Sequence, residues 1–173
     1  MSEAKYGQEF IKHEFNEAIA VQQAIVEGSR QLADVHPDAP SKRAIASTLK
    51  KDERFLKDLR KLGQPYGASG ELEEVAGSLK QLLEETVQSA GEAESEAYEA
   101  HAVLINLKRK QQDSAAAMVK IAREMKETEL RDSAKEFHKA QKETAQELAD
   151  ALAEFAVTIA TKNGNGRAKG SRA

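Results

Sequence analysis

Apolar residues recur every three or four positions along most of the chain, which is the spacing of a helix that buries one face. The longest such stretch, residues 92–163, contains neither glycine nor proline. As one straight helix it would be about 108 Å long, several times the width of a domain of this size. We therefore expect it to fold back on itself, with the main reversal at residues 111–114 and a secondary kink near residues 131–133.

Polar residues at the presumed helix ends suggest these positions. The cations of residues 108–110 suit a helix C-terminus, where the helix dipole places partial negative charge. Ser133 and Glu136 have the spacing of a capping box, in which each residue satisfies a free backbone N–H at a helix N-terminus. Ser89 and Glu92 repeat that spacing, so we expect a helix break there too.

The N-terminal third predicts a helical hairpin. Residues 4–33 and 41–62 each carry an apolar stripe, and Pro37 and Pro40 separate them because proline disfavours helix in the residue before it. Ser41 is the expected N-cap of the second helix and Gly63 its C-terminal cap.

The fold class predicted from these elements is all-α. We expect an antiparallel four-helix bundle with an additional helical segment, starting near residue 71, between its second and third helices. Residues 1–161 would form the bundle domain, and residues 162–173, with four cations and no acid, a disordered basic tail.

Composition excludes several classes of protein. The chain of 173 residues has no cysteine, which excludes disulfides, thiolate catalysis and cysteine-ligated metals. No run of apolar residues approaches the length of a membrane span, and the N-terminus lacks a signal-peptide pattern. We therefore expect a cytoplasmic protein. No nucleophile motif or glycine-rich phosphate loop occurs, so no catalytic residue and no organic cofactor is predicted.

One segment resembles a known family. Residues 49–63 read Leu-Lys-Lys-Asp-Glu-Arg-Phe-Leu-Lys-Asp-Leu-Arg-Lys-Leu-Gly, which is similar to the second helix of ferritin-like bundles. There an acid, a metal-binding histidine and a Leu-x-x-Leu-Gly ending recur. The order of helices over about residues 8–160 resembles the small bacterial stress-response branch of that superfamily.

The chain departs from the family at the metal site. Di-iron members carry Glu-x-x-His on two helices, which places both side chains on one face toward the metals. The residues three before each histidine are Phe10, Ala33, Tyr98 and Lys135. The histidine position of the resembling segment holds Phe55 when counted from Asp52, or Leu56 when counted from Glu53. The resemblance therefore implies the fold but a di-iron motif that is degenerate or lost.

Four polar residues on the predicted inner stripes remain candidate metal ligands: Glu14, Asp52, Glu94 and His101. Glu94 and His101 are seven residues apart and so share a helix face. If all four meet at mid-bundle they can bind one divalent metal. The alternative is that Glu14 and Asp52 lie at the edge of the stripe, solvated or paired with lysines.

These observations support one principal function and its alternatives. The principal prediction is a non-catalytic ferritin-like bundle with a structural or protein-interaction role, connected with stress through the resemblance, as a homo-oligomer or with a helical partner. The alternative is a divalent-metal-binding protein with the reduced ligand set above. A third option is a helical coat on a lipid or polymer surface. Nucleic acid is expected to bind only weakly, through the basic tail.

Overall fold

The computed structural model describes residues 3–70 and 74–167, and over this part of the chain the protein is all-α, as predicted. A short 3₁₀ turn, Gln64–Tyr66, follows the second helix. The five α-helices in chain order are α1 Glu3–Val35, α2 Ala39–Gly63, α3 Glu74–Ser89, α4 Glu94–Glu124 and α5 Thr128–Arg167.

The four longer helices form a closed ring of neighbours. Helix α1 packs against α2 and α4, and α5 packs against the same two helices, while α3 lies outside against α1 and α4. Contacts along the helices give their directions: α4 runs antiparallel to α1, and α5 runs parallel to α1. Helices α2 and α4 therefore run the same way, joined by the single long connection that contains α3.

Two apolar clusters fill the ring, one at each end. The buried large residues of the first cluster include Ile25, Leu32, Ile45, Leu83, Leu104, Leu148 and Phe155. Those of the second include Ile11, Phe15, Ile19, Phe55, Leu59, Met118, Leu130 and Phe137. Phe10, which the apolar pattern placed on the inner stripe with Ile11, is about half exposed at 52%.

The predicted α1–α2 hairpin is confirmed, but α2 is not capped by the residues predicted to cap it. The side chain of Asp38, not of Ser41, caps α2 by accepting a hydrogen bond of 2.9 Å from the Ser41 amide. Gly63 keeps helical geometry, and the left-handed residue that ends this region is Gly67, with φ of 73°. Gly67 supplies the positive φ that other residues adopt only with strain.

The predicted reversal at residues 111–114 is wrong: α4 continues through it to Glu124. The chain reverses at Met125 to Glu127 through a Schellman motif, in which the Glu127 amide bonds the Ala122 carbonyl at 2.9 Å and the Lys126 amide bonds the Arg123 carbonyl at 3.2 Å. Lys126 takes the left-handed position, with φ of 62°, where glycine is usual.

Other sequence signals had mixed outcomes. The break after Ser89 is confirmed, because α3 ends there. The kink near residues 131–133 is wrong, since Ser133 and Glu136 lie inside α5. Helix α5 also continues past residue 161 to Arg167, into the range predicted as a disordered tail, and residues 168–173 of that prediction lie outside the described residues.

Gly28 has a packing role inside α1. A Cβ atom at this position would lie 2.4 Å from Cδ2 of the buried Leu83 on α3. The absence of a side chain therefore lets α3 approach α1 closely, and Gly28 does not end the helix.

Candidate functional site

A buried ion pair crosses the middle of the helix ring. Lys108 on α4 and Asp52 on α2 are 0% and 1% exposed, and Lys108 Nζ lies 2.7 Å and 2.6 Å from the two carboxylate oxygens of Asp52. Lys108 Nζ also lies 3.3 Å from Thr144 Oγ1 on α5. An ammonium group has three N–H donors, so all of them have partners.

Amide side chains extend this pair into a layer that involves all four longer helices. Gln22 on α1 donates to Asp52 Oδ1 at 3.2 Å. Its Oε1 accepts from Gln111 Nε2 at 3.2 Å and from Gln141 Nε2 at 3.0 Å. Within this layer, Gln141 Oε1 has no partner among the described residues. We call Gln22, Asp52, Lys108, Gln111, Gln141 and Thr144 the central polar layer.

The geometry of the layer is that of an ammonium–carboxylate pair, although burial opposes the charge on Lys108. Burial lowers the pKa of Lys108 because it removes the charged form from water, and the Asp52 carboxylate opposes that shift. Short bonds from one nitrogen to both carboxylate oxygens are the geometry of charge-assisted hydrogen bonds. Each charge thus has its opposite within hydrogen-bonding distance, which a pair this deeply buried requires.

A second polar group lies toward one end of the ring. His36, which follows α1, and His101 on α4 are both fully buried, with ring centroids 5.4 Å apart in an edge-to-face arrangement. The His36 ring also lies against Phe155, with centroids 4.8 Å apart. The Asp38 amide donates to His36 Nδ1 at 3.1 Å. By contrast, His36 Nε2 and both ring nitrogens of His101 lack a hydrogen-bond partner in the described part of the chain.

This histidine pair is held neutral by its surroundings. Burial, with a smaller effect of the neighbouring His36, lowers the pKa of His101 to about 4, against weaker opposing effects of the Leu148 backbone and Asp38. Burial also lowers the pKa of His36, where Asp38 opposes the shift and Lys42 adds to it. At neutral pH both rings are therefore uncharged.

The structure does not bring the four candidate metal ligands together. Asp52 bonds Lys108 in the central polar layer, and His101 lies seven residues before Lys108, about 10 Å along α4. Glu94 lies at the first turn of α4, 2.6 Å from Lys162 Nζ. Glu14 is half-buried on α1, eight residues and about 12 Å before Gln22. The predicted common site at mid-bundle is therefore not formed.

Glu14 belongs instead to a surface group on α1. Glu14 lies beside His13 and Glu17, and one ligand atom of each side chain lies within 4.8 Å of the other two. Among the described residues this is the one group of side chains close enough together to hold a metal ion. Glu17 already contacts Lys110, and His13 Nε2 lies 3.7 Å from a Glu17 oxygen. These contacts explain the group as ion pairing on the surface.

Sequence reasoning missed Lys108, Gln111 and Thr144. It assigned Lys108 to a helix C-terminus because two further cations follow it. The apolar spacing of α4 nevertheless continues from Leu104 through Lys108 and Gln111 to Ala115, all buried. That unbroken period, with polar residues inside it, is the signal that could have placed them in the core.

Comparison of the chain with family models, with curated proteins and with solved structures gave no match. None of the helices in the described ranges combines the length and apolar character needed to cross a bilayer.

Proposed function

We propose that this chain is a non-catalytic, ferritin-like four-helix bundle with a structural or binding role, in which an internal ion pair stands where a metal site would lie. The helix order supports the ferritin-like part of the proposal. Ferritin-like bundles have one long crossover, and here the connection between α2 and α4 is the long one. Helix α3, packed outside the ring, corresponds to the expected additional segment.

The observation that carries the proposal is the Lys108 ammonium against Asp52. A divalent cation bound at Asp52 would have to displace a group 2.6 Å from its carboxylate and then share a buried space with a positive charge. The position where the resemblance implies a histidine holds Phe55 when counted from Asp52 and Leu56 when counted from Glu53. The layer supplies one carboxylate and mostly amide groups, a poor set for iron.

Metal analysis tests the proposal. Protein purified without tag or chelator should carry less than about 0.2 metal per chain. Its melting temperature should not shift on addition of Fe²⁺, Mn²⁺ or Zn²⁺. A metal that bound only the native state would stabilise it, by about 2.7 kcal/mol at 100 times Kd, and would raise the melting temperature. The matched variant is Asp52→Asn. Stoichiometric metal in the wild type that is lost in Asp52→Asn would establish the metal-binding alternative instead.

Self-association remains a prediction. The long apolar stripes are covered within the chain, and the exposed large apolar side chains among the described residues are scattered over several elements: Phe10, Val35, Leu82, Met125 and Val157. Size-exclusion chromatography with light scattering measures the mass directly. A dimer or larger assembly would support the homo-oligomer, and a strict monomer at high concentration would contradict it.

A further inference from the structure

Helix α2 carries a continuous row of cations on its outer face. Positions 43, 47, 50, 54, 57 and 61 alternate four and three residues apart, the spacing that keeps side chains in one line along a helix. Five of these exposed positions are cationic and one is Ser47. The row is about 27 Å long at 1.5 Å per residue. We call its cations the α2 ridge: Arg43, Lys50, Arg54, Lys57 and Lys61.

Most of the ridge has no acidic partner. Arg54 pairs with Glu136 on α5 and lies 3.6 Å from Asp58. No ion pair joins the other four ridge cations to an acid among the described residues. The remaining acids of α2 are engaged elsewhere, because Asp52 bonds Lys108 inside the ring and Glu53 lies 2.8 Å from Arg30 on α1. Four of the five ridge cations therefore face solvent without a direct ion-pair partner in the described part of the chain.

The groove beside the ridge carries charges of both signs. It lies open between α2 and α5, with the cations Lys51 and Lys139 and the acids Glu136 and Glu143 among its lining residues. The acidic part of the chain, with nine glutamates and one lysine over residues 71–99, lies mainly on α3 and the start of α4. Helix α2 is a direct neighbour of neither helix, although the Lys108 side chain of α4 reaches Asp52 across the ring. The two charged faces thus lie on different sides of the ring, where screening weakens their mutual attraction.

The composition of the ridge decides between kinds of partner. The cores of protein–protein interfaces are enriched in aromatic residues and methionine and depleted of lysine. The exposed residues of α2 are mainly lysine and arginine, and no exposed large apolar side chain lies on this helix. A linear phosphate polymer needs only a row of cations, since each lysine that neutralises a phosphate releases a bound counterion.

We propose that the α2 ridge binds the phosphate backbone of duplex nucleic acid without sequence preference. The ridge places its cations in one line along a single helix, which suits successive phosphates of a backbone, so we expect recognition to be electrostatic. This inference names a partner for the proposed binding role. It fails independently of the metal test, because duplex binding and metal content are measured separately.

Fluorescence anisotropy with a labelled 24-base-pair duplex of arbitrary sequence tests the ridge in the full chain. With four or five phosphates neutralised, log K should fall against log salt with a slope of about −4. The triple variant Lys50→Gln/Lys57→Gln/Lys61→Gln should bind more than tenfold more weakly at low salt. The slope of log K against log salt should become less steep by about 3. A wild-type slope near zero, which needs no variant, overturns the proposal.

Two control variants remove charge elsewhere. Lys120→Gln/Arg123→Gln/Lys126→Asn takes the same charge from exposed positions at the end of α4, with asparagine chosen for the left-handed position 126. Arg167→Gln/Lys169→Gln/Arg172→Gln removes cations near the C-terminus. Both should keep the wild-type slope and affinity within about twofold. Loss of binding in either control equal to that of the ridge variant overturns the assignment.

Competing occupants give distinct results. Binding of polyphosphate chains without binding of the duplex would overturn the assignment to nucleic acid. If light scattering shows a smaller assembly for the ridge variant than for the wild type, the ridge contacts a second copy of the chain. That result would also overturn the assignment to nucleic acid. Because all three substituted lysines are exposed, circular dichroism and melting temperature should match the wild type.

Discussion

The central polar layer and the histidine pair are equally buried but differ in how their polar atoms are satisfied. In the layer, Lys108 uses every donor and both oxygens of Asp52 accept. In the histidine pair, three of the four ring nitrogens have no partner among the described residues. The first region keeps its charges because they neutralise each other, and the second can be buried only as neutral rings.

This difference shows what each region contributes. The layer links four helices through directional bonds that fit one register, so its loss should destabilise the whole fold. The histidine pair contributes apolar contact and ring packing against Phe155, and it makes stability depend on pH. The layer is therefore the structural centre, and the histidine pair is the acid-sensitive part of the core.

The largest effect is expected from Lys108→Met. This substitution leaves the Asp52 carboxylate buried with no positive partner, which should lower the free energy of unfolding by about 3–5 kcal/mol. Urea unfolding at pH 7 measures it. The matched change in the other region, His101→Leu, removes two unpaired nitrogens and should change stability by less than about 1.5 kcal/mol. Equal losses of stability in Lys108→Met and His101→Leu would contradict the difference drawn between the central polar layer and the histidine pair.

The next effect is the pH dependence caused by the histidine pair. The pKa of His101 is about 4 in the folded protein, below the ordinary value of 6.5. The unfolded chain therefore binds the proton first as the pH falls. His101 alone should leave stability unchanged above about pH 6.5 and remove about 3 kcal/mol by pH 4. The charged groups acting on the pair are Asp38, which raises both pKa values, and Lys42, which lowers that of His36.

Urea unfolding between pH 7 and pH 4 checks this dependence. His101→Leu should flatten the curve relative to the wild type, because carboxylate titrations common to both proteins cancel in the difference. A His101→Leu curve parallel to the wild type would show that this ring does not titrate as described.

The smallest effect concerns the turn that holds His36. Asp38→Ala removes the cap on the Ser41 amide and should cost about 1 kcal/mol. Asp38→Asn keeps an accepting oxygen and should restore most of that stability at pH 7. Asparagine nevertheless removes the charge that raises the pKa of His36, so acid sensitivity should increase slightly. Thermal melting at pH 7 and pH 5 separates the loss of the cap from the loss of the charge. Equal melting temperatures of Asp38→Ala and Asp38→Asn at pH 7 would contradict the capping role of Asp38.

The helices were predictable because their stripes are regular, whereas the reversal of the long segment was not. Glycine, proline and capping residues mark turns in a sequence, whereas this protein places Lys126 in the left-handed position of the turn. Left-handed geometry is unfavourable for lysine by about 1–2 kcal/mol. Packing of the flanking helices, with Ala122 and Leu130 buried, offsets it. Local capping residues do not indicate tertiary packing of this kind.

The candidate site was predictable only in part. Asp52 and His101 were correctly placed inside the ring, since both lie on apolar stripes. Their partners could not be derived, because pairing across the ring depends on which helices face each other. Lys108 looked like surface charge in a run of three cations, and only the register of α4 against α2 shows that it faces inward.

The central claim is that Asp52 and Lys108 form one energetic unit at the centre of the helix ring. A double-mutant cycle with Asp52→Leu, Lys108→Met and the combined variant, followed by urea unfolding at pH 7, measures their coupling directly. The account predicts that the combined variant is more stable than either single variant, with a coupling energy of about 3 kcal/mol or more. Losses that simply add, with coupling below about 0.5 kcal/mol, would contradict it.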